Sequence, residues 1–360
     1  IVAPIALPSF DNSAMDGYAL RAADAGETNA SLRLIGEQFA GRPLGLSIGP
    51  GECARITTGA PLPEGADAVV MKENTRIDGE RIVLATAVAR DVHVRRASED
   101  VAVGDLLLRA GTRVTPVQAS LAAAVGMAEL PVARRPTVAV FTTGDELRPP
   151  GQPLDPGMIY DSNRTLLMNL LVAEGLEPFA WPILPDDPDR LRALLRDAGN
   201  AFDVVITCGG VSAGEKDYLP GLLGELGDIH FWKVLMRPGM PLLLGTVGRA
   251  QVLALPGNPV SVLATFLTLG RQLLRGLQAD AFPSSKIAAR LSIPIVKAHD
   301  RREFQRGRLD FGADGTVRVA PHPATASHRL RGAADSDCLI VLPEGPQQLS
   351  VDTVVDVLRY

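Results

Sequence analysis

The chain has 360 residues, 46% of them hydrophobic and 21% charged. That describes a globular protein too long for one ordinary core, so about two to four domains are expected. A formal net charge of −5 argues against a general nucleic-acid binder, and no apolar run reaches the roughly 18 residues of a membrane span. Cys53, Cys208 and Cys338 form no CxxC pair and the five histidines show no HExxH spacing, which argues against a disulfide framework and a zinc hydrolase and for a reducing cytoplasm.

The opening "IVAPIALPSF" has no basic n-region and reads as a chain cut at its start, not as a signal peptide. "FDNSAMDGYAL" (10–20) crowds polar groups into a short stretch. Such residues bond their own backbone in turns, and Gly17 could supply a positive φ. The alternative is that Asp16 is delivered to a polar site elsewhere. Short strand-like pieces broken by Gly and Pro, as in "SIGPGECARITTGAPLPEGADAVVM", predict a small β-rich domain. "TPVQASLAAAVG" then predicts a helix capped by Thr115, with Pro116 at its first position.

From residue 137 the pattern changes. "TVAVFTT" reads as a buried strand ending in a polar Gly-Asp-Glu loop, and "DSNRTLLMNLLVAEG" as a helix capped by Asp161 or Ser162 and stopped by Gly175. "EPFAWPIL", "DDPDRLRALLRDAG", "FDVVITCGG", "YLPGLLGEL", "QVLALPGNP" and "VSVLATFLTLGRQLLRGL" continue the alternation of strand and helix. The fold class is therefore multidomain α/β, with a doubly wound, mostly parallel sheet at its centre. After residue 284, alternating segments such as "KIAARLSIPIV", "GTVRVAP" and "VDTVVDVL" predict a β-barrel or sandwich.

Ligands of open α/β sheets bind beyond the carboxyl ends of the strands. Four such ends carry polar residues: "TTGDE", "PDD", "CGGVSAGEKD" and "LPGNP". Gly209, Gly210 and Gly214 let backbone approach an anion, although such loops often only turn the chain. Asp145, Glu146, Asp186, Asp187 and Asp217 gather at the same edge, where they would repel one another unless a cation such as Mg²⁺ bridged them to a substrate phosphate. Asp186 or Asp187 could instead cap the helix begun by Pro188. Lys233 and Arg237, four apart, would share one face of a strand and suit a polyanion, or form a solvated surface pair. Arg306 and Ser327 offer further anion donors.

With these pieces together the chain resembles the molybdopterin molybdenumtransferases, whose eukaryotic relatives include the gephyrin E domain. The matching stretches are "LPSFDNSAMDGYA", "ITTGAPLPEGADAVV", "SEDVAVGD", "TTGDEL", "YDSN", "CGGVSAGEKDY", "FWKVLMRPGMP", "LPGNPVS" and "FQRG", in the family's order, and "CLIVLPEG" near the end also fits. The resemblance implies a β-rich domain at 3–102, an elongated linker domain at 103–135 completed by the extreme N-terminus, a molybdopterin-binding α/β domain at 136–284 and a C-terminal β-barrel at 285–360. It implies a homodimer in which Asp16 and Thr57 reach into the partner's cleft.

By motif match, Glu146, Asp186 and Asp217 are the expected acidic and Mg²⁺-binding residues. Gly209, Gly210, Ser212 and Gly214 line the substrate loop, Pro256 and Pro259 shape the loop beside it, and Lys233, Arg237, Arg306 and Ser327 handle anions. The implied reaction turns adenylylated molybdopterin and molybdate into molybdenum cofactor and AMP, with molybdopterin adenylyltransferase and other cofactor-synthesis proteins as implied partners. Arg237 and Met240 stand where many members have Lys, and the helix expected upstream is absent from the sequence. The rival readings are an adenylyltransferase, which the 130-odd residues ahead of the α/β domain count against, and a non-enzymatic scaffold, for which no peptide groove is recognisable.

Overall fold

The structure is a computed structural model that describes residues 1–42, 45–212, 214, 217–281 and 287–360. The chain divides into two compact units, Ile1–Val132 and Ala133–Tyr360. The expected boundary at 284–285 lies outside the described residues.

The first unit is built on a six-stranded sheet in the order Ala68–Met71, Gly17–Leu20, Glu52–Ile56, Ser31–Gln38, Arg81–Leu84, Thr75–Asp78. Its core holds Tyr18, Leu20, Leu32, Ile82 and Leu84. Gly17 is extended, not in the left-handed region. It serves a close approach, because a Cβ there would lie 1.8 Å from the Val70 carbonyl oxygen. Beside the sheet, Val2 bridges Leu106 and Leu7 bridges Val101, and Ala3, Val101 and Val125 form a small core of their own. The predicted helix is Pro116–Ala124. Thr115 caps it, and its capping box with Gln118 satisfies two otherwise unpaired amides.

The second unit holds a six-stranded sheet in the order Pro178–Ala180, Val138–Thr142, Val204–Cys208, Ala250–Leu255, Leu243–Val247, Gly227–Trp232. The first four are parallel, and the last two are added antiparallel. The central runs VAVFT and VVITC are buried at every position because helices cover both faces. Asp161 caps Ser162–Ala173 and Asp187 caps Pro188–Ala201. The long apolar segment after Pro259 stays helical to Leu277 through a wider turn at Phe266–Gly270.

Beyond it, Arg302–Phe311, Val317–Pro321, Ile287–Leu291, Val354–Arg359 and Cys338–Leu342 pair in that order, and the last returns to the first, closing a five-stranded barrel. Phe304, Ala333 and Leu339 share one apolar core with Val260, Leu263 and Phe266, so the barrel is packed directly on the helix that follows the sheet. Among the described residues no helix is long and apolar enough to cross a membrane.

Candidate active site

Chain order reverses between Val138–Thr142 and Val204–Cys208, where connections leave to opposite sides of the sheet. A cavity of about 630 Å³ opens at their carboxyl ends. Its lining includes Glu146, Asp186, Gly209, Gly210, Ser212, Gly214, Asp217, Pro256 and Pro259, so nine of the residues expected from sequence meet in one place. Gly209 has φ +98°, and a Cβ on it would lie 2.7 Å from the Thr143 carbonyl oxygen. Only glycine lets these two strand ends close up. Cys208 lines the same cavity but its thiol points to the Pro256 carbonyl at 3.3 Å. Burial raises its pKa, which makes it packing and not a nucleophile.

The carboxylates have unequal duties. Asp187 is spent on the helix cap, accepting from the amides of Asp189 and Arg190 at 2.9 and 3.2 Å. Asp145 accepts from the Asp186 amide at 3.2 Å and so fixes the loop that carries Asp186. Asp217 accepts from the Gly214 amide at 2.7 Å, closing the glycine loop on itself. Among the described residues no group of three or more acidic, His or Cys side chains is arranged as a ready metal cage. Hard oxygen donors sharing one cavity nevertheless suit Mg²⁺, which binds through one or two carboxylates together with substrate phosphates and water.

A second cavity, about 440 Å³, lies between the sheet's loops and the barrel and shares Pro241, Pro256 and Asn258 with the first. Arg237, Arg306 and Ser327 line it. Arg237 is the cross-strand partner of Glu303, with Nε 3.7 Å from Glu303 Oε1. Arg306 is buried, and burial holds its pKa below the usual guanidinium value. Its terminal nitrogens donate to the carbonyls of Arg329 at 2.8 Å, Ala326 at 3.2 Å and Ala324. It therefore shapes the loop that presents Ser327, and the expectation of a freely available anion donor is corrected to that extent.

Lys233 differs from expectation. It has φ +68° and ends the strand at Trp232, so it does not share a strand face with Arg237. Its Nζ lies 4.7 Å from the Trp232 ring centroid, and it lines neither cavity.

In the first unit, Asp16 Oδ1 accepts from the amide and hydroxyl of Thr58 at 2.8 and 2.9 Å. These bonds, the amide first, lower the Asp16 pKa from the ordinary carboxylate value. Thr57, the residue expected from sequence, is half-buried, with its amide on the Gln38 carbonyl at 3.3 Å. Elsewhere in the opening stretch the turn reading holds. Asp11 accepts from the Ala97 amide at 2.8 Å, and the Ser13 hydroxyl donates to the Met15 carbonyl at 2.6 Å.

Comparison with known proteins matches residues 1–126 to the MoeA N-terminal region (domain I and II), 139–276 to a probable molybdopterin binding domain, and 288–360 to the MoeA C-terminal region (domain IV). The molybdopterin molybdenumtransferase of Haemophilus influenzae is 36% identical, over 99% of this chain and 89% of its own length. This chain belongs to the molybdopterin molybdenumtransferase family. Molybdopterin molybdenumtransferase 2 of Mycobacterium tuberculosis is 39% identical, over 99% of this chain and 90% of its own. The crystal structure of the molybdopterin biosynthesis MoeA protein of Pyrococcus horikoshii superimposes with a TM-score of 0.84 at 27% identity, covering 100% of this chain and 90% of that one.

Sequence reasoning missed two residues, one beside Asp16 in the first unit and one in the second cavity of this molybdenumtransferase-family chain. Thr58 lies next to the threonine singled out, and Arg301 lines the second cavity five residues before Arg306. The run "RREFQRG" contained the signal for Arg301, but only the fold shows which arginines are already engaged.

Proposed function

We propose that this protein inserts molybdenum into adenylylated molybdopterin, taking molybdate as the metal source and releasing AMP. One observation carries the reading: an acidic, glycine-walled cavity and a cation-lined cavity share a wall. A phosphate-bearing pterin suits the first, and a tetrahedral oxyanion suits the second. Glu146, Asp186 and Asp217 would hold Mg²⁺, which supplies neutralisation of the pyrophosphate charge.

The chain's own groups do the rest. The backbone around Gly209 and Gly210 receives the ligand closely, and Arg237 and Ser327 orient the oxyanion from the other side of the shared wall. Arg306 keeps the Ser327 loop in place. The three cysteines are buried, which leaves none of them as a nucleophile, and charge stabilisation is the mode of catalysis in this reading.

The same reading includes the four-part division at 3–102, 103–135 with the extreme N-terminus, 136–284 and 285–360. It also includes a cytoplasmic homodimer in which Asp16, with its threonine neighbours, completes the partner's site, and cooperation with molybdopterin adenylyltransferase. The test is incubation of purified protein with adenylylated molybdopterin, Mg²⁺ and molybdate while AMP and cofactor are followed. The proposal predicts that both products appear together and only when molybdate is present. AMP without cofactor would point to a hydrolase and overturn it.

A further inference from the structure

We propose that Arg301 is a further oxyanion-binding residue of the second cavity, whose lining also holds the uncharged Met240. The inference rests on the oxyanion reading of that cavity and goes beyond the residues assigned above.

It follows from how far each charge in the lining is offset or engaged, Arg237 being partly offset while it serves the oxyanion. Arg237 faces the buried carboxylate of Glu303 directly across the strand pair. Glu303 also has His299 Nε2 3.0 Å from its other oxygen. Arg306 gives its terminal nitrogens to three carbonyls. His322 accepts the Ala324 amide on Nδ1 at 3.0 Å, which leaves that nitrogen unprotonated. Met240, also in the lining, is apolar and 40% exposed.

Arg301 is different. Its side chain has no hydrogen bond or ion pair among the described residues, although it lines the cavity and is half-buried. Its backbone is held, because the buried Lys297 donates Nζ to the Arg301 carbonyl at 2.7 Å and to that of Pro343 at 2.7 Å. A fixed base with an uncommitted guanidinium is what an anion site needs, since the planar fork offers two parallel donors to an oxyanion and no existing partner has to be given up.

The experiment measures molybdate binding by equilibrium dialysis with radiolabelled molybdate, with AMP as a parallel probe, on the full chain. Wild type should bind molybdate, and Arg301→Gln should bind about tenfold more weakly or worse, as expected for loss of a charge-assisted contact. AMP binding should be unchanged. Adding Met240→Lys to Arg301→Gln should return most of the lost affinity, which a merely structural role for Arg301 would not produce. Undiminished molybdate binding by Arg301→Gln, or no recovery with Met240→Lys, would overturn the inference while the proposed function stood. A loss confined to AMP would assign the residue to the nucleotide phosphate and overturn it too. Wild type that bound no molybdate would remove the oxyanion site itself, and both readings with it.

Discussion

Asp16 and Thr58 are joined twice through a single oxygen: the Thr58 amide and hydroxyl both donate to Asp16 Oδ1, at 2.8 and 2.9 Å. Oδ2 has no partner among the described residues. The carboxylate is thus oriented by one edge and open at the other, which a turn-forming aspartate would not require.

Thr58→Val keeps the amide bond and removes the hydroxyl. Because both bonds favour the charged carboxylate, losing one raises the Asp16 pKa. The acid limb of the pH–rate profile is therefore expected to move to higher pH. Turnover at neutral pH should fall several-fold, because one of the two bonds that orient the Asp16 carboxylate is gone. A profile unmoved on its acid side would show that Asp16 does not titrate in the reaction.

Arg306→Ala strands the carbonyls of Ala324, Ala326 and Arg329 that the guanidinium now satisfies. Amide hydrogen exchange across residues 322–329 should quicken, and the molybdate concentration needed for half-maximal rate should rise about tenfold or more, given about 1.5 to 3 kcal/mol for charge-assisted bonds. Arg306→Lys should recover little, since an ammonium cannot span the same carbonyls as a planar fork. Full recovery by Lys would mean that charge alone matters at this position.

Asp203 binds Arg134 through two bonds of 2.8 Å and also accepts from the Thr137 amide and hydroxyl at 2.7 and 2.8 Å. Arg134 first, then Thr137, holds its pKa far below the ordinary carboxylate value. A folded-state pKa lowered in this way contributes stability that is complete above the unfolded value near 4 and is lost as pH falls through the folded value. Asp203→Asn should therefore destabilise the protein by about 1 to 2 kcal/mol at neutral pH, with the gap from wild type narrowing below pH 4. Thermal midpoints at pH 7 and pH 3 check this, and an equal gap at both would exclude the linkage.

Glu146→Ala and Asp217→Ala should fold normally and lose Mg²⁺-dependent AMP release, because both side chains line the acidic cavity and neither is buried in the core. Asp217→Ala should also loosen the loop that the Gly214 amide closes. Circular dichroism spectra matching wild type, together with full turnover, would remove both residues from the proposed Mg²⁺ site.

The central sheet and its ligand edge were legible because their signals are local. VAVFT and VVITC are too short and too apolar for anything but buried strands, and the polar residues after each have nowhere to go but the sheet's carboxyl edge. What stayed hidden depends on backbone direction or on distant pairing. Lys233 and Arg237 have even spacing, yet a left-handed residue at Lys233 breaks the alternation that the spacing assumes. Thr57 and Thr58 are adjacent, and only the turn after Ile56 decides which hydroxyl meets Asp16. Arg306 looked like a free cation because the carbonyls that engage it come from residues 324–329, which the barrel's pairing brings alongside it.

The shared-site proposal can be tested by complementation. If Asp16 serves a site built mainly by the other subunit of a homodimer, then Asp16→Ala and Asp217→Ala are each inactive alone, because every site lacks one group. In a heterodimer of the two, both defects fall in one site and the other is intact. Random exchange makes about half the dimers mixed, each with one working site, so the mixture should regain roughly a quarter of wild-type activity by the two-fold symmetry of an isologous dimer. Differently tagged subunits purified in tandem would confirm that exchange took place and should carry about half of wild-type activity per dimer. If confirmed heterodimers stayed inactive, Asp16 would act within its own chain, and its bonds to Thr58 would have to be explained there.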